Sequence, residues 1–332
     1  MKKLMNSAAS YVDEALEGLT MAHPSLVLDG ESRRVVRRAA GATTGKVGVA
    51  SGGGFGHLPL FAGYVGEGLL DTCSVGNVFE GPNVASCTDA IKLADGGAGV
   101  LLLYGNYGGD RMNFDMAAEL LELDGIATTT VLGSDDIASA APEDAHKRRG
   151  VAGILYAYKA AGAAAAAGAD LGAVTAAALN AVARTRTIGI GLAACTVPGA
   201  AQPTFSLAAD EVEMGIGIHG EPGIWRNRMR PADDLVAEML DRLLAERPAD
   251  HAGRVSLLVN GLGATPQEEL LILYRRAATQ LASRGLTIVQ PLVGEYVTSM
   301  EMAGASISLC YLDDALEAQL AAPASCPFWR VS

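Results

Sequence analysis

The chain has 332 residues, half of them apolar, and 25 Lys and Arg against 37 Asp and Glu give it a formal charge of −12. That length and apolar content support a large core, in two domains or one large α/β unit, and exclude a disordered chain. The acidic balance lacks the basic footprint that neutralises phosphates in nucleic-acid binders, so nucleic acid is not expected as a partner.

The N-terminal MKKLMNSAASYVDEALEGL carries two lysines, but Asp13 and Glu14 interrupt it before an apolar core long enough for a signal peptide. KVGVA (46–50), AGVLLLY (98–104) and ATTTVL (127–132) read as short strands, with a helix at RMNFDMAAELLEL (111–123), whose apolar residues recur at three and four. The tract 150–183 holds Lys159, Asp170 and too much alanine to span a membrane, and reads as two packed helices. Further strands are expected at 254–260, 287–293 and 306–312, with a helix over 266–285 that starts on Pro266 and stops at Gly285. Strand and helix alternate, which implies two α/β domains, each a sheet covered by helices: an N-terminal one over 1–190 and a C-terminal one over 191–332. Cys73, Cys87, Cys195, Cys310 and Cys326 lie far apart with no CxxC spacing, so neither a metal site nor a disulfide framework is indicated, and a cytoplasmic location is expected.

Two loops at strand ends are candidates for chemistry. SGGGFGHLP (51–59) follows the strand 46–50, and its glycines let the backbone approach a ligand while His57 closes the loop; it is neither a Walker A loop nor GxGxxG. YGNYGGD (104–110) precedes the helix at 111, where Asp110 reads as an N-cap or as a general base toward a substrate hydroxyl. Ligands of open α/β sheets bind beyond the carboxyl ends of strands, so the loops converge if their strands are neighbours. A third stretch, GIGIHGEPG (215–223), reads as a short strand delivering His219 to a tight Gly-Glu-Pro-Gly turn. GIGIHG and GIGLAA (189–194) match dinucleotide fingerprints, but Pro198 and Pro222 cut short the helix each would need. His146 in APEDAHKRRG and His251 after ERPAD read as solvated surface residues, and His23 has no evident partner.

Together, SGGGFGH, GNYGGD and GIGIHGEPG resemble the substrate-binding K subunit of dihydroxyacetone kinases, and so do AHPSL, MNFDMAAELL, ACTVPG (194–199) and NGLGATP (260–266). The resemblance implies that Nε2 of His219 adds to the ketone carbon of dihydroxyacetone as a covalent hemiaminal. It implies that His57 hydrogen-bonds the substrate and accepts a proton, that Asp110 is the base for a terminal hydroxyl, and that Gly54, Phe55, Gly56 and His57 line the substrate. Such an imidazole must keep its proton on Nδ1, and Glu221 is the nearest candidate to hold it there. The resemblance further implies a homodimer that binds no cofactor itself. The phosphoryl group comes from Mg-ATP or Mg-ADP on a separate helical L subunit, in some systems recharged by a phosphotransferase-system M subunit. A chain ending at Ser332 is expected to hold a ketose without phosphorylating it alone.

The family's usual loop resembles SGGGSGHEP, so Phe55 replaces a serine and Leu58 a glutamate, while Gly105 and Gly108 stand where a lysine and a threonine are common. These departures predict a less polar pocket of different shape, with volume gained at Gly105 and lost to Phe55, suited to a four-carbon ketose such as erythrulose. A non-catalytic, ketose-sensing regulator is the alternative from another class, and a nicotinamide-dependent dehydrogenase the weaker third.

Overall fold

In a computed structural model, which describes residues 2–332, the first half of the chain builds a six-stranded sheet. Its strands are β1 (Leu26–Asp29), β2 (Val35–Arg38), β3 (Gly48–Phe55), β4 (Thr72–Val78), β5 (Val100–Gly105) and β6 (Thr128–Gly133), in the spatial order β1-β2-β4-β3-β5-β6. The four strands from β4 to β6 run parallel, and β1 and β2 are antiparallel at one edge. Parallel strands are covered on both faces, which is why β5 reads VLLLYG without polar alternation and is buried throughout. Val100, Leu102 and Tyr104 meet α2 (Val84–Ala94) and α3 (Gly108–Glu122), introduced after α1 (Tyr11–Ala22). Leu101 and Leu103 face the larger core with α4 (Ile154–Ala166) and α5 (Leu171–Ala183). These two are the expected alanine-rich pair, divided at Gly168 (φ +79°), with Asp170 capping α5 through the Ala173 N–H.

The second half builds a seven-stranded sheet from β7 (Thr185–Ala193), β8 (Glu211–Met214), β9 (Trp225–Arg228), β10 (Arg254–Gly261), β11 (Thr287–Ile288), β12 (Leu292–Gly294) and β13 (Ala303–Leu312). Here β10, β13, β7, β8 and β9 are successively antiparallel, and only β11 and β12 run parallel to β10. One face packs on α6 (Ala232–Ala245) and α7 (Gln267–Ser283) through Leu257, Val259, Ile307 and Leu309. From the other face Leu258, Cys310 and Leu312 join the larger core of the first half, so the two sheets share buried side chains. Gly285 (φ +75°) follows the end of α7, and Pro266 is its N-cap rather than its first helical residue.

Two sequence expectations shift. The strand read over 287–293 is two short strands, because Gln290 takes φ +53° just before Pro291. The division between residues 190 and 191 falls inside β7, a strand of the second sheet. GIGLAA lies almost wholly in that strand, with no helix after it to receive a pyrophosphate. Among the described residues no helix is long and apolar enough to cross a membrane.

Candidate active site

β3 and β5 are parallel neighbours, with Ala50 opposite Leu102, so the segments leaving their carboxyl ends lie side by side. The first is not a loop where one was expected. Residues Ser51 to Phe55 continue β3, and the glycines there admit neighbouring groups where a Cβ belongs. A Cβ on Gly52 would lie 2.8 Å from the Phe114 ring, one on Gly54 would lie 2.8 Å from the Glu80 nitrogen, and the Phe61 ring fills the place beside Gly53. Gly56, at φ +107°, then turns the chain into His57, which is 1% exposed.

From β5 the chain passes through Tyr107, the N-cap of α3, so Asp110 is the third helical residue and the capping reading of its carboxylate does not hold. Asp110 is buried, and burial pushes its carboxyl up to about 6 despite a backbone hydrogen bond and the nearby His219.

GIGIHG is not a strand either: β8 stops at Met214, because Gly215 takes φ +84° and Gly223 packs directly against the Met214 carbonyl. The loop closes on itself, Gly217 N–H donating to the Glu221 carbonyl at 3.0 Å and Gly220 N–H to that of Gly217 at 3.0 Å. The Glu221 carboxylate folds back, accepting from the His219 backbone N–H at 2.9 Å and standing 3.1 Å from His219 Nδ1. Burial raises the Glu221 carboxyl, but the hydrogen bond and charge of His219 and the charge of Arg149 outweigh it and hold the group at about 2.

The two histidines meet. Their Nε2 atoms are 3.1 Å apart, with the rings edge to face at 84°. His57 Nδ1 donates to the Thr298 carbonyl at 2.8 Å; a carbonyl only accepts, so the proton sits on Nδ1 and Nε2 offers a lone pair. Burial, then the neighbouring His219, hold His57 down at about 3, which keeps it neutral. Phe79 stacks on His57 at 4.9 Å, and the Tyr107 ring meets that of His219 perpendicularly at 4.9 Å.

These groups surround a cavity of about 400 Å³ whose walls include Gly54, His57, Asp110 and His219. Phe55 and Gly56 stand outside it. Side chains alternate along a strand, so Phe55 points away from the Gly54 side, into the core, where it is 6% exposed and meets Tyr11 edge-on at 6.1 Å. The volume predicted to be lost to Phe55 is therefore not taken from this cavity, and Leu58 does not line it. Gly105 does, although the Tyr107 ring already stands 3.0 Å from where its Cβ would be.

Sequence reasoning missed Phe79, Tyr107, Gly81 and Phe61 in the walls, and Thr298 behind His57. Tyr107 was visible inside YGNYGGD, whereas Phe79 and Thr298 lie outside every motif. It also passed over the arginines beside His146: Arg148 is 1% exposed and bidentate with Glu246, and Arg149 reaches Glu221. The surface reading holds for His146, which is exposed, and less for His251, which is half-buried, as is His23. None of these three lines the cavity.

Fold and site define a two-sheet α/β protein that presents paired imidazoles and a buried carboxylate at the seam between its sheets. The chain belongs to the Dak1 domain family, whose model matches residues 17–328. It is 43% identical to the PTS-dependent dihydroxyacetone kinase 2, dihydroxyacetone-binding subunit DhaK, of Listeria innocua, over 100% of both chains. It is 42% identical to the L-erythrulose 1-kinase of Mycolicibacterium smegmatis, over 99% of this chain but only 58% of that protein's length. The crystal structure of the dihydroxyacetone kinase of C. freundii superposes with a TM-score of 0.92 at 31% identity, over 99% of this chain and 60% of that one.

Proposed function

We propose that this chain is the ketose-binding subunit of a multi-component kinase for dihydroxyacetone, holding the ketose as a hemiaminal on His219 while one of its hydroxyls is phosphorylated. The observation that carries the reading is the disposition of His219, whose Nδ1 is engaged by Glu221 while its Nε2 meets His57 at a cavity that also holds Asp110. The Nε2 lone pair forms the bond to the carbonyl carbon, the C=O π pair moves onto oxygen, and that oxygen takes a proton. His57 Nε2 relays a proton from solvent water to that oxygen, and the substituted ring gives up its Nδ1 proton by way of the Glu221 carboxylate, so the neutral ring forms a neutral hemiaminal with no net proton uptake. Asp110 then accepts the hydroxyl proton as the hydroxyl oxygen attacks phosphorus, a role its raised pKa of about 6 suits.

The phosphoryl group is supplied from Mg-ATP or Mg-ADP on a partner L subunit, with a phosphotransferase-system M subunit as its alternative recharging route, and the chain acts as a cytoplasmic homodimer. The reading is tested by adding L subunit, Mg-ATP and dihydroxyacetone, then following sugar phosphate and the 13C signal of the labelled ketone carbon. Both a tetrahedral carbon on the free chain and turnover in the mixture are expected, and His219→Ala should abolish the first. Adduct without turnover would instead support a sensor. A four-carbon ketose is the second reading, favoured by Gly105 in the wall and by a 42% identical relative named as an erythrulose kinase. It fails if neither erythrulose enantiomer is turned over faster than dihydroxyacetone.

A further inference from the structure

Behind Glu221 lies a second ionic layer that reaches His219 without touching the cavity. Arg149 Nη1 is 3.7 Å from Glu221 Oε2, the oxygen that accepts from the His219 backbone. The guanidinium is itself held by Asp136, its Nε donating at 2.9 Å and its Nη2 lying 2.7 Å from the same carboxylate. Asp136 is 2% exposed and fixed by the Ala138 N–H at 3.0 Å. Both residues belong to the segment between β6 and α4, in the first half, whereas Glu221 belongs to the second. The fit is close: a Cβ on Gly217 would lie 2.6 Å from Arg149 Nη1. Neither Arg149 nor Asp136 lines the cavity.

We propose that Arg149, oriented by Asp136, is a positioning residue that clamps Glu221 and sets the pH above which His219 adds to a ketone. The inference rests on the hemiaminal reading of the site. In the free chain both nitrogens of His219 face acceptors, the Glu221 carboxylate at Nδ1 and the lone pair of His57 at Nε2. A ring donating at both is an imidazolium, which has no lone pair to attack with. The nucleophile is the Nδ1–H tautomer, so the negative charge of Glu221 fixes the right tautomer and also favours the unreactive cation. The guanidinium offsets that second effect while holding the carboxylate in place. The charged and titratable groups around His219 are His57 from the end of β3, Asp110 and Tyr107 from α3 and its cap, Glu221 on its own loop, and Arg149 with Asp136 and the buried Asp135 behind. Of these only Arg149 is a cation.

The test is the pH dependence of adduct formation, read by 13C NMR on the full chain with dihydroxyacetone labelled at the ketone carbon. Arg149→Met should move the acid limb of binding up by about one pH unit, the size of shift a neighbouring charge produces. Arg149→Lys, which keeps the charge and loses the fork, should restore most of the limb. Asp136→Asn removes a negative charge and should not move the limb upward. In a Glu221→Gln background the Arg149→Met shift should largely vanish, because the arginine acts through that carboxylate. A uniform loss of adduct in Arg149→Met with an unmoved limb, or a shift that persists undiminished beside Glu221→Gln, would overturn the clamp. Absence of the adduct in the wild-type chain would instead remove the hemiaminal reading itself.

Discussion

His57 and His219 face each other across 3.1 Å, yet the chain fixes them by opposite means. His57 follows the end of a parallel strand, is 1% exposed, lies stacked under Phe79, and donates its Nδ1–H to an uncharged carbonyl. His219 sits in a loop outside any strand, its side chain is 23% exposed, and its Nδ1 meets a carboxylate two residues on. A carbonyl acceptor selects a tautomer without stabilising the cation. A carboxylate selects the same tautomer and adds negative charge beside the ring, which raises the electron density at the other nitrogen. Under the proposed function, two rings of identical chemistry would thereby serve as a neutral proton carrier and a nucleophile whose reactivity responds to its surroundings.

The contrast breaks most visibly at His219. His219→Ala should abolish the tetrahedral 13C signal and lower turnover on the order of 10³-fold or more, because no other ring nitrogen presents a lone pair beside a charged partner. Asp110→Asn should lower turnover about 10²- to 10³-fold while leaving the adduct signal in place, which separates holding the ketose from deprotonating it. For the wild type, turnover should fall as pH drops through about 6, where Asp110 takes up its proton, whatever the adduct does.

Glycine substitutions sharpen the comparison at the next level. Gly53→Ala drives a methyl into the Phe61 ring beneath β3, and should cost about 1–3 kcal/mol in urea unfolding. Gly217→Ala presses instead on the Glu221 carboxylate and the Arg149 guanidinium, and should weaken adduct formation more than it lowers stability. The Asp110 carboxyl also carries a stability signature. It binds its proton more tightly in the folded chain than in the unfolded one, so stability declines as pH rises from its ordinary value of 3.8 to about 6 and stays lower above that. Asp110→Asn should accordingly raise Tm at pH 8, by about 1–3 kcal/mol equivalent, and not at pH 3. Smallest in function is Phe55→Ser, which should leave the preference between erythrulose and dihydroxyacetone unchanged. Its effect belongs to thermal melting, since the ring it removes packs beside Tyr11.

Apolar runs and helical spacing made most of the elements legible. AGVLLLY read as a strand from its short apolar run, and the alanine tract as two closely packed helices; both are what the chain forms. What was not legible depended on partners distant in sequence. The glycines after Ala50 signalled close approach, but only Phe114, Phe61 and Glu80, brought in by folding, show that the approaching groups belong to the protein itself. Asp110 looked like a cap because the start of α3 was placed three residues late. GIGIHG alternates like a strand, yet Gly215 at positive φ breaks it, and a pattern of apolar residues carries no record of φ. Arg149 lay inside a charged run, and no local pattern distinguishes a buried arginine from a solvated one.

Each imidazole is braced in part from the half of the molecule that does not carry it. Thr298, which fixes the proton of His57, belongs to the second half, and Arg149, which grips the carboxylate beneath His219, belongs to the first. The two lobes are therefore cross-braced through the very contacts that ready the rings. A chain divided at the seam would part His57 from the Thr298 carbonyl and Glu221 from Arg149. Relative motion of the lobes would therefore act directly on the Nδ1 hydrogen bond of His57, whose acceptor lies across the seam.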